Sequence, residues 1–391
     1  MRIETFGTAD ELLQLAPEWD ALADRLSPWL PFRTAQWNLA YWRHFRRRST
    51  LVRDDLHTFA IRDDSGRLVA VAPMMLTSRP GIGLPLLGQL RYLGADTNIT
   101  ELRGLVCDPA DQSRVLNAMS THLAKQDRRW ELLHWAGLDA RDPAVSRLTE
   151  RNNHALTRTL QMYCIVGATN WDQFKTALPR NTKEALRKCY NALRRDGHGF
   201  TFEIASAPGD VDAALGRFFD LHAARASADL GVAHNDAFAA AESRAFLLAY
   251  ARIMAAQDRL RVFRLRIGDT IVATRVGFIG GSDLYLYYSG FDPDWARYSV
   301  MTTTTAEALK WAMGNGFSCI NLSFGRDKAK LRWRPQEWEF VEAVQFAQTL
   351  RGHTALAALR ALRRFRGEGV GAINDRAADP DDKLLARANI A

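Results

Sequence analysis

The stretch Gly325 to Trp333 sets four basic residues around one carboxylate, Asp327. Asp327 has the chemistry to accept a proton from an amine or to orient it. Lys328 and Lys330 can hold a phosphate or carboxylate, and Trp333 can wall a pocket. The bland alternative is a solvated charge cluster closed by a buried Trp. Upstream, Arg297-Tyr298-Ser299-Val300-Met301 opens a predicted helix. Unpaired amides and the helix dipole favour an anion at such a start. Ser299 is the expected cap and a hydroxyl donor, and Arg297 adds charge. No glycine occurs from Tyr298 to Met301, so Cβ atoms line this cradle, and an ordinary capped helix is the alternative.

His222 and Arg225 lie one turn apart on a predicted helix and share a face, where they can contact substrate or orient a base. Tyr287 and Tyr288 are expected on opposite faces of a strand, with one of them lining a cleft. The catalytic candidates are therefore Asp327, Lys330 and His222. Cofactor candidates are Arg297, Tyr298, Ser299, Val300 and Met301. Substrate candidates are Tyr287, Tyr288, Arg225, Lys328 and Trp333. The run Thr302 to Thr305 either faces a pocket or bonds back to carbonyls. The four cysteines, Cys107, Cys164, Cys189 and Cys319, show no metal-ligand or disulfide spacing, so reduced thiols and no metal are expected.

These residues need elements to hold them. Leu284 to Tyr288 is aromatic and β-prone, a helix is predicted over Ser299 to Met313, and Phe317 to Leu322 reads as a buried strand. A helix start facing a strand end is the geometry that holds anions. Thr8 with Glu11 forms a capping box for a first helix, and Thr34 to Arg47 is a second. Leu56 to Ile61 pairs with Leu68 to Leu76, and Pro80 to Gly88 predicts a loop. Glu101 to Val106 reads as a strand before a helix over Ala110 to Lys125 and a strand over Trp130 to Trp135. Helices are expected at Trp171 to Leu178, Thr182 to Arg195, Val211 to Ala226 and Asp236 to Ala256. A hairpin follows around Gly268-Asp269. Glu101 to Trp135 thus lines up with Leu284 to Leu322, each with an Asp-Pro turn, as though one α/β unit were duplicated. The expected domains are 1–165, 166–348 and a tail, 349–391. In that tail Leu350 to Arg366 is a basic amphipathic helix candidate, for a membrane surface or simple packing, and Gly367 to Ala391 reads as disordered.

The chain has 391 residues, 47% hydrophobic, with 11 Trp and 19 Phe, which excludes a disordered chain and suits two domains. A net charge of +8 permits acidic partners. The basic helix Arg180 to Arg195 can meet RNA or phosphates. Without interleaved aromatics it reads instead as a solvated face, and nucleic acid is not the expected partner. No apolar run reaches a membrane span and no signal segment opens the sequence, so a cytoplasmic protein is expected.

Together these segments resemble the GNAT superfamily, and within it the BioF2-like or CelD-type acetyltransferase domain family related to the FemAB peptidyl-transferases. The resemblance is carried by Pro31-Phe32-Arg33-Thr34-Ala35-Gln36-Trp37 with Tyr41-Trp42-Arg43-His44-Phe45, and by Arg180 to Leu193. It also rests on Leu221-His222-x-x-Arg225 with Gly231, on Phe291 to Ser299, and on Gly325-x-Asp327-x-x-Lys330-x-x-Trp333. It covers most of residues 30 to 340. It implies a tandem α/β (α+β) GNAT-like fold whose second half holds acetyl-CoA or another acyl-CoA, the first half being mainly structural. The usual pyrophosphate loop of that superfamily runs Q/R-x-x-G-x-G/A; Arg297 matches its first position only. The implied activity is N-acyl transfer to an amine acceptor, small molecule or envelope precursor, in exopolysaccharide or envelope synthesis, with peripheral inner-membrane contact through 350–366. FemAB relatives imply an alternative, transfer from aminoacyl-tRNA. A degenerate, non-catalytic membrane-surface accessory is the third reading.

Overall fold

A computed structural model of the chain describes residues 1–83, 87–95, 99–126, 129–145, 154–229, 234–354 and 357. Gly231, the tail beyond 357 and most of the expected basic helix past 354 lie outside the described residues. The fold is mixed α/β, in two compact units: residues 1–26, 32–161 and 339–391, and residues 27–31 and 162–338.

The first unit holds β1 (Arg2–Phe6), α1 (Ala9–Asp24), α2 (Ala35–Phe45), β2 (Arg53–Leu56), β3 (Thr58–Arg62), β4 (Leu68–Ala72), β5 (Met74–Arg79), β6 (Leu87–Tyr92), β7 (Val106–Cys107), α3 (Pro109–Gln126) and β8 (Leu132–Asp139). The predicted capping box starts α1: Glu11 N–H donates to Thr8 Oγ1 at 3.2 Å and Thr8 N–H to Glu11 Oε2 at 3.0 Å. The helix then buries Leu12, Leu15, Trp19 and Leu22, one helical stripe. Strands run β1-β3-β4-β7 in one sheet, while β2, β5, β6 and β8 are successive neighbours elsewhere. The stretch Glu101 to Val106 contributes to strand structure only through Val106–Cys107, which pairs with β4. The strand that pairs in parallel with β8 is instead β6, which begins inside the stretch Pro80 to Gly88 whose glycines and prolines predict a loop.

The second unit contains the 162–166 end of β9 (His154–Val166), then α4 (Trp171–Ala177), α5 (Arg180–Arg195), β10 (Phe200–Ala205), α6 (Val211–Ser227), α7 (Ala241–Ala256), β11 (Leu260–Ile267), β12 (Thr270–Gly280), β13 (Asp283–Phe291), α8 (Val300–Gly314), β14 (Cys319–Phe324) and α9 (Lys328–Leu331). The strand β15 (Gln336–Phe346) follows, mostly in the first unit. Strands β10 to β14 are laid down in chain order, antiparallel except β13 with β14, and β9 pairs with β14. The path β5–β6–α3–β8 in one unit therefore repeats as β12–β13–α8–β14 in the other. Leu284, Leu286, Ala308, Leu309 and Ala312 form the core between β13 and α8.

Residues 27–31 complete this unit. Trp29 N–H donates to Asp283 Oδ2 at 2.8 Å, and the Arg259 guanidinium lies 5.0 Å over the Trp29 ring. Gly280 makes room, because a Cβ there would fall 2.1 Å from a ring carbon of Trp29. Burial pushes the Asp283 carboxyl above its ordinary pKa, and the Trp29 amide and Ser27 hydroxyl pull it back.

Candidate active site

The β13–β14 ladder is parallel and short: Asp283 with Cys319, Leu284 with Ile320, Tyr285 with Asn321. Beyond that pair β13 continues to Phe291 and β14 to Phe324, so the two strand ends diverge. Two left-handed residues accompany the divergence, Ser323 at φ +75° and Gly325 at +88°. Serine is an uncommon choice for that region, and its N–H is held by Asn321 Oδ1 at 2.8 Å. On its other side β13 carries a bulge. Arg275 faces Ser289 and Gly277 faces Leu286, which leaves Val276 opposite both Tyr287 and Tyr288. The expected opposite facing of the two tyrosines therefore fails. Both rings meet Phe238, at 6.4 and 5.3 Å, and each other at 4.7 Å. Tyr287 is buried and Tyr288 half-buried.

Helix α6 presses against β13 at Gly290, where an added Cβ would lie 2.4 Å from His222 N. That approach sets His222 Nδ1 3.0 Å from Ser289 O, an N–H to carbonyl bond. Its Nε2 faces Asp236 Oδ1 at 3.7 Å, and its ring packs on Phe218, Phe238 and Tyr288. Burial pushes His222 below the ordinary histidine pKa, so the neutral ring is favoured. The helix predicted from Asp236 starts at Ala241. Asp236 instead accepts the N–H of Phe238 at 3.0 Å, turning that ring beneath His222.

One turn on, Arg225 Nη1 donates to Ser289 Oγ at 3.2 Å and Nη2 reaches His234 Nε2 at 3.0 Å. Burial and the Arg225 charge lower the His234 pKa, which favours a neutral ring that accepts this bond. Burial also disfavours the Arg225 charge, and the Asp327 carboxylate acts in its favour.

The loop Gly325–Trp333 connects the remaining parts. Asp327, exposed, caps α9 by accepting Lys330 N–H at 2.8 Å. The Lys330 ammonium donates to Phe324 O and, at 3.1 Å, to Gly325 O, with Asp327 Oδ2 at 3.7 Å. Lys328 is exposed. Trp333 is in the core, 2% exposed, 6.5 Å from the Trp171 ring, away from any cleft wall. Arg332 Nη1 donates to Thr302 Oγ1 at 3.2 Å, on the first turn of α8. One loop thus carries Asp327 at the Arg225 end and Arg332 at the α8 end.

At the start of α8, Ser299 makes no side-chain cap. Its backbone sits at φ 53°, ψ 43°, the left-handed conformation usually left to glycine, and its carbonyl accepts from Thr302 N at 2.8 Å. Burial raises the pKa of the nearby Cys189 thiol, which Ser299 and Arg332 draw back. Tyr298 and Val300 are turned into the core. Tyr298 Oη donates to Asp196 Oδ2 at 3.0 Å, with Arg297 lying 4.7 Å over its ring. Thr304 and Thr305 bond back to Val300 O and Met301 O at 2.8 Å each. Exposed Ser299 and Arg297, half-buried Met301 and the nearby Arg332 therefore face outward. This donor set fits a diphosphate: the backbone conformation is the one a glycine would give, and two cations flank it.

The structure gathers His222, Arg225, Tyr288 and Asp327 around one end of β13, and Arg297, Ser299 and Met301 at the start of α8. Sequence reasoning missed His234, Ser289, Gly290 and Arg332. Only the basic spacing in Leu331-Arg332-Trp333-Arg334 offered a signal, for Arg332. Among the described residues, no cluster of His, Cys, Asp or Glu is placed to hold a metal, and no helix is long and apolar enough to cross a membrane.

A family model, the acetyltransferase (GNAT) domain, matches residues 180–331. No curated protein matches the chain. Among solved structures the chain is similar to FemX, at 10% identity over 87% of this chain and 97% of that one, with a TM-score of 0.56. It also resembles the C-terminal domain of a putative lysylphosphatidylglycerol synthetase from Agrobacterium fabrum (14% identity, 94% and 100% covered, TM-score 0.48). A tandem GNAT protein from the clavulanic acid biosynthesis pathway is a third (9%, 89% and 99%, 0.45). At such identities the FemX likeness is one of fold. The family match, which spans α6, β13, α8, β14 and Asp327, makes the chain an acyltransferase with a GNAT-type acetyltransferase domain over residues 180–331.

Proposed function

We propose that the second unit transfers an acyl group, acetyl in the simplest case, from acyl-CoA to an amine acceptor, the first unit being mainly structural. The observation that carries this is the parallel β13–β14 pair that parts beyond Tyr285 and Asn321, with α8 between its strands in sequence, inside the matched domain. When bound, acyl-CoA supplies a thioester carbonyl, whose C–S bond breaks as the amine forms its C–N bond. The amides of Val300 and Met301, with Arg297 and Arg332, hold the diphosphate, the Ser299 N–H being bonded to Ala296 O. Asp327 takes the proton released by the amine. Backbone N–H groups of β13 past Tyr285, beyond the ladder with β14, stabilise the developing oxyanion. Lys330 and His222 act as positioning residues: one ties the Asp327 loop to the end of β14, the other ties α6 to Ser289.

One observation favours a second donor. The start of α8 lacks glycine, and the neighbouring α5 presents exposed Arg180, Arg187, Lys188, Arg194 and Arg195, which suits aminoacyl-tRNA. Calorimetry with acetyl-CoA, a long-chain acyl-CoA and CoA decides: micromolar binding supports the first donor. Absence of any CoA binding, with a salt-dependent gel shift on charged tRNA, replaces it with the second. The setting that accompanies the resemblance is bacterial envelope or exopolysaccharide synthesis in the cytoplasm, with residues 350–366 touching the inner membrane.

A further inference from the structure

Arg225 is a cation set among neutral partners. Its hydrogen bonds go to a serine hydroxyl and a neutral histidine, at 3.2 and 3.0 Å, and its guanidinium lies 5.7 Å over the Phe291 ring. Its Nε is buried and has no hydrogen-bond partner among the described residues. No carboxylate among them pairs with it directly; Asp327 acts on it only through the field. Removing a guanidinium from water without a counter-ion is costly, and three features hold it there regardless. Ser289 sits next to the bulge of β13, His234 accepts from Nη2, and Phe291 supports the ring face. A planar fork fixed in orientation and lacking an anion is suited to bind one from a ligand.

We propose that the acceptor amine carries an anionic group, carboxylate or phosphate, which Arg225, oriented by Ser289 and His234, binds so that the amine reaches Asp327. The placement of the amine rests on the acyl-transfer reading above; the anion site itself does not. Charge-assisted hydrogen bonds to such a group give roughly a 10- to 100-fold preference over a neutral twin.

The test is calorimetric titration of the full chain, without donor, using two matched pairs: β-alanine against its amide, and O-phosphoethanolamine against ethanolamine. The anionic member of one pair is expected to bind roughly 10- to 100-fold tighter, the pair identifying carboxylate or phosphate. Arg225→Gln is expected to erase that difference, and Arg225→Lys to keep part of it, while both keep the acetyl-CoA affinity and melting temperature of the parent. Equal binding within both pairs, no binding of either anionic member, or full preference retained in Arg225→Gln overturns the proposal. Because no donor is present, a protein that prefers the anions yet binds no acetyl-CoA refutes the donor reading alone.

Discussion

Gly290→Ala is the sharpest probe of how α6 delivers His222 and Arg225 to β13. An added Cβ would lie 2.4 Å from His222 N, 2.6 Å from the Leu221 carbonyl carbon and 2.9 Å from His222 Cα. All are backbone atoms of a helix, so none can swing aside as a side-chain tip would. Ordinary contact begins near 3.4 Å, and α6 must therefore withdraw by about 1 Å. A withdrawal of that size takes His222 Nδ1 from 3.0 Å to about 4 Å from Ser289 O, past hydrogen-bonding range. Overpacking costs about 1–3 kcal/mol and the unsatisfied buried pair a similar amount, so a loss of roughly 2–5 kcal/mol is expected in urea unfolding. Acyl transfer should fall about 100-fold, the usual effect of a 1 Å misplacement. Gly314→Ala is the control, because an added Cβ meets nothing within 4 Å at the end of α8. It should change stability by less than about 1 kcal/mol and leave the rate alone. A Gly290→Ala protein with parental unfolding midpoint and parental rate would refute the tight α6–β13 contact as the positioning device.

Two further outcomes follow from the same geometry. Ser299→Gly relieves a left-handed serine and should be neutral to about 1 kcal/mol stabilising, whereas Ser299→Val should cost at least about 1–2 kcal/mol; urea midpoints separate them. For pH, burial holds folded His222 below its ordinary value of 6.5, so between the two values the unfolded chain binds a proton that the folded chain does not. Stability is then full above 6.5 and lost as pH falls through that window; urea midpoints against pH should show this slope, and His222→Gln should flatten it.

Local signals were legible in the sequence where the physics is local. The Thr8–Glu11 box and the apolar stripe of α1 need only neighbours within four residues, and both appear in the structure. The Gly268-Asp269 hairpin is likewise closed by its own turn, Ile267 facing Thr270. Non-local features were not legible. Strand β6 is defined by its partners β5 and β8, the latter forty residues on, and its leading glycines and prolines predict a loop. The bulge at Tyr287 and Tyr288 exists only as a slip against β12, so no period within β13 can show it. His234 has no periodic context, and its meaning comes from Arg225 on the preceding helix. Ser299 adopts a glycine's conformation without being glycine, which hid the shape of the loop.

Residues 27–31 belong to the unit that their chain neighbours on both sides do not, and at Glu339 the chain returns to the first unit. Trp29 is synthesised more than two hundred residues ahead of its partners Arg259, Gly280 and Asp283. The first unit waits in turn for β15 to pair with β8. Neither unit can be completed co-translationally from a continuous piece, so a nascent chain carries unsealed edges until β15 has been made. Two fragments cut at any single peptide bond between residues 32 and 338 should fold poorly apart and regain structure only when mixed.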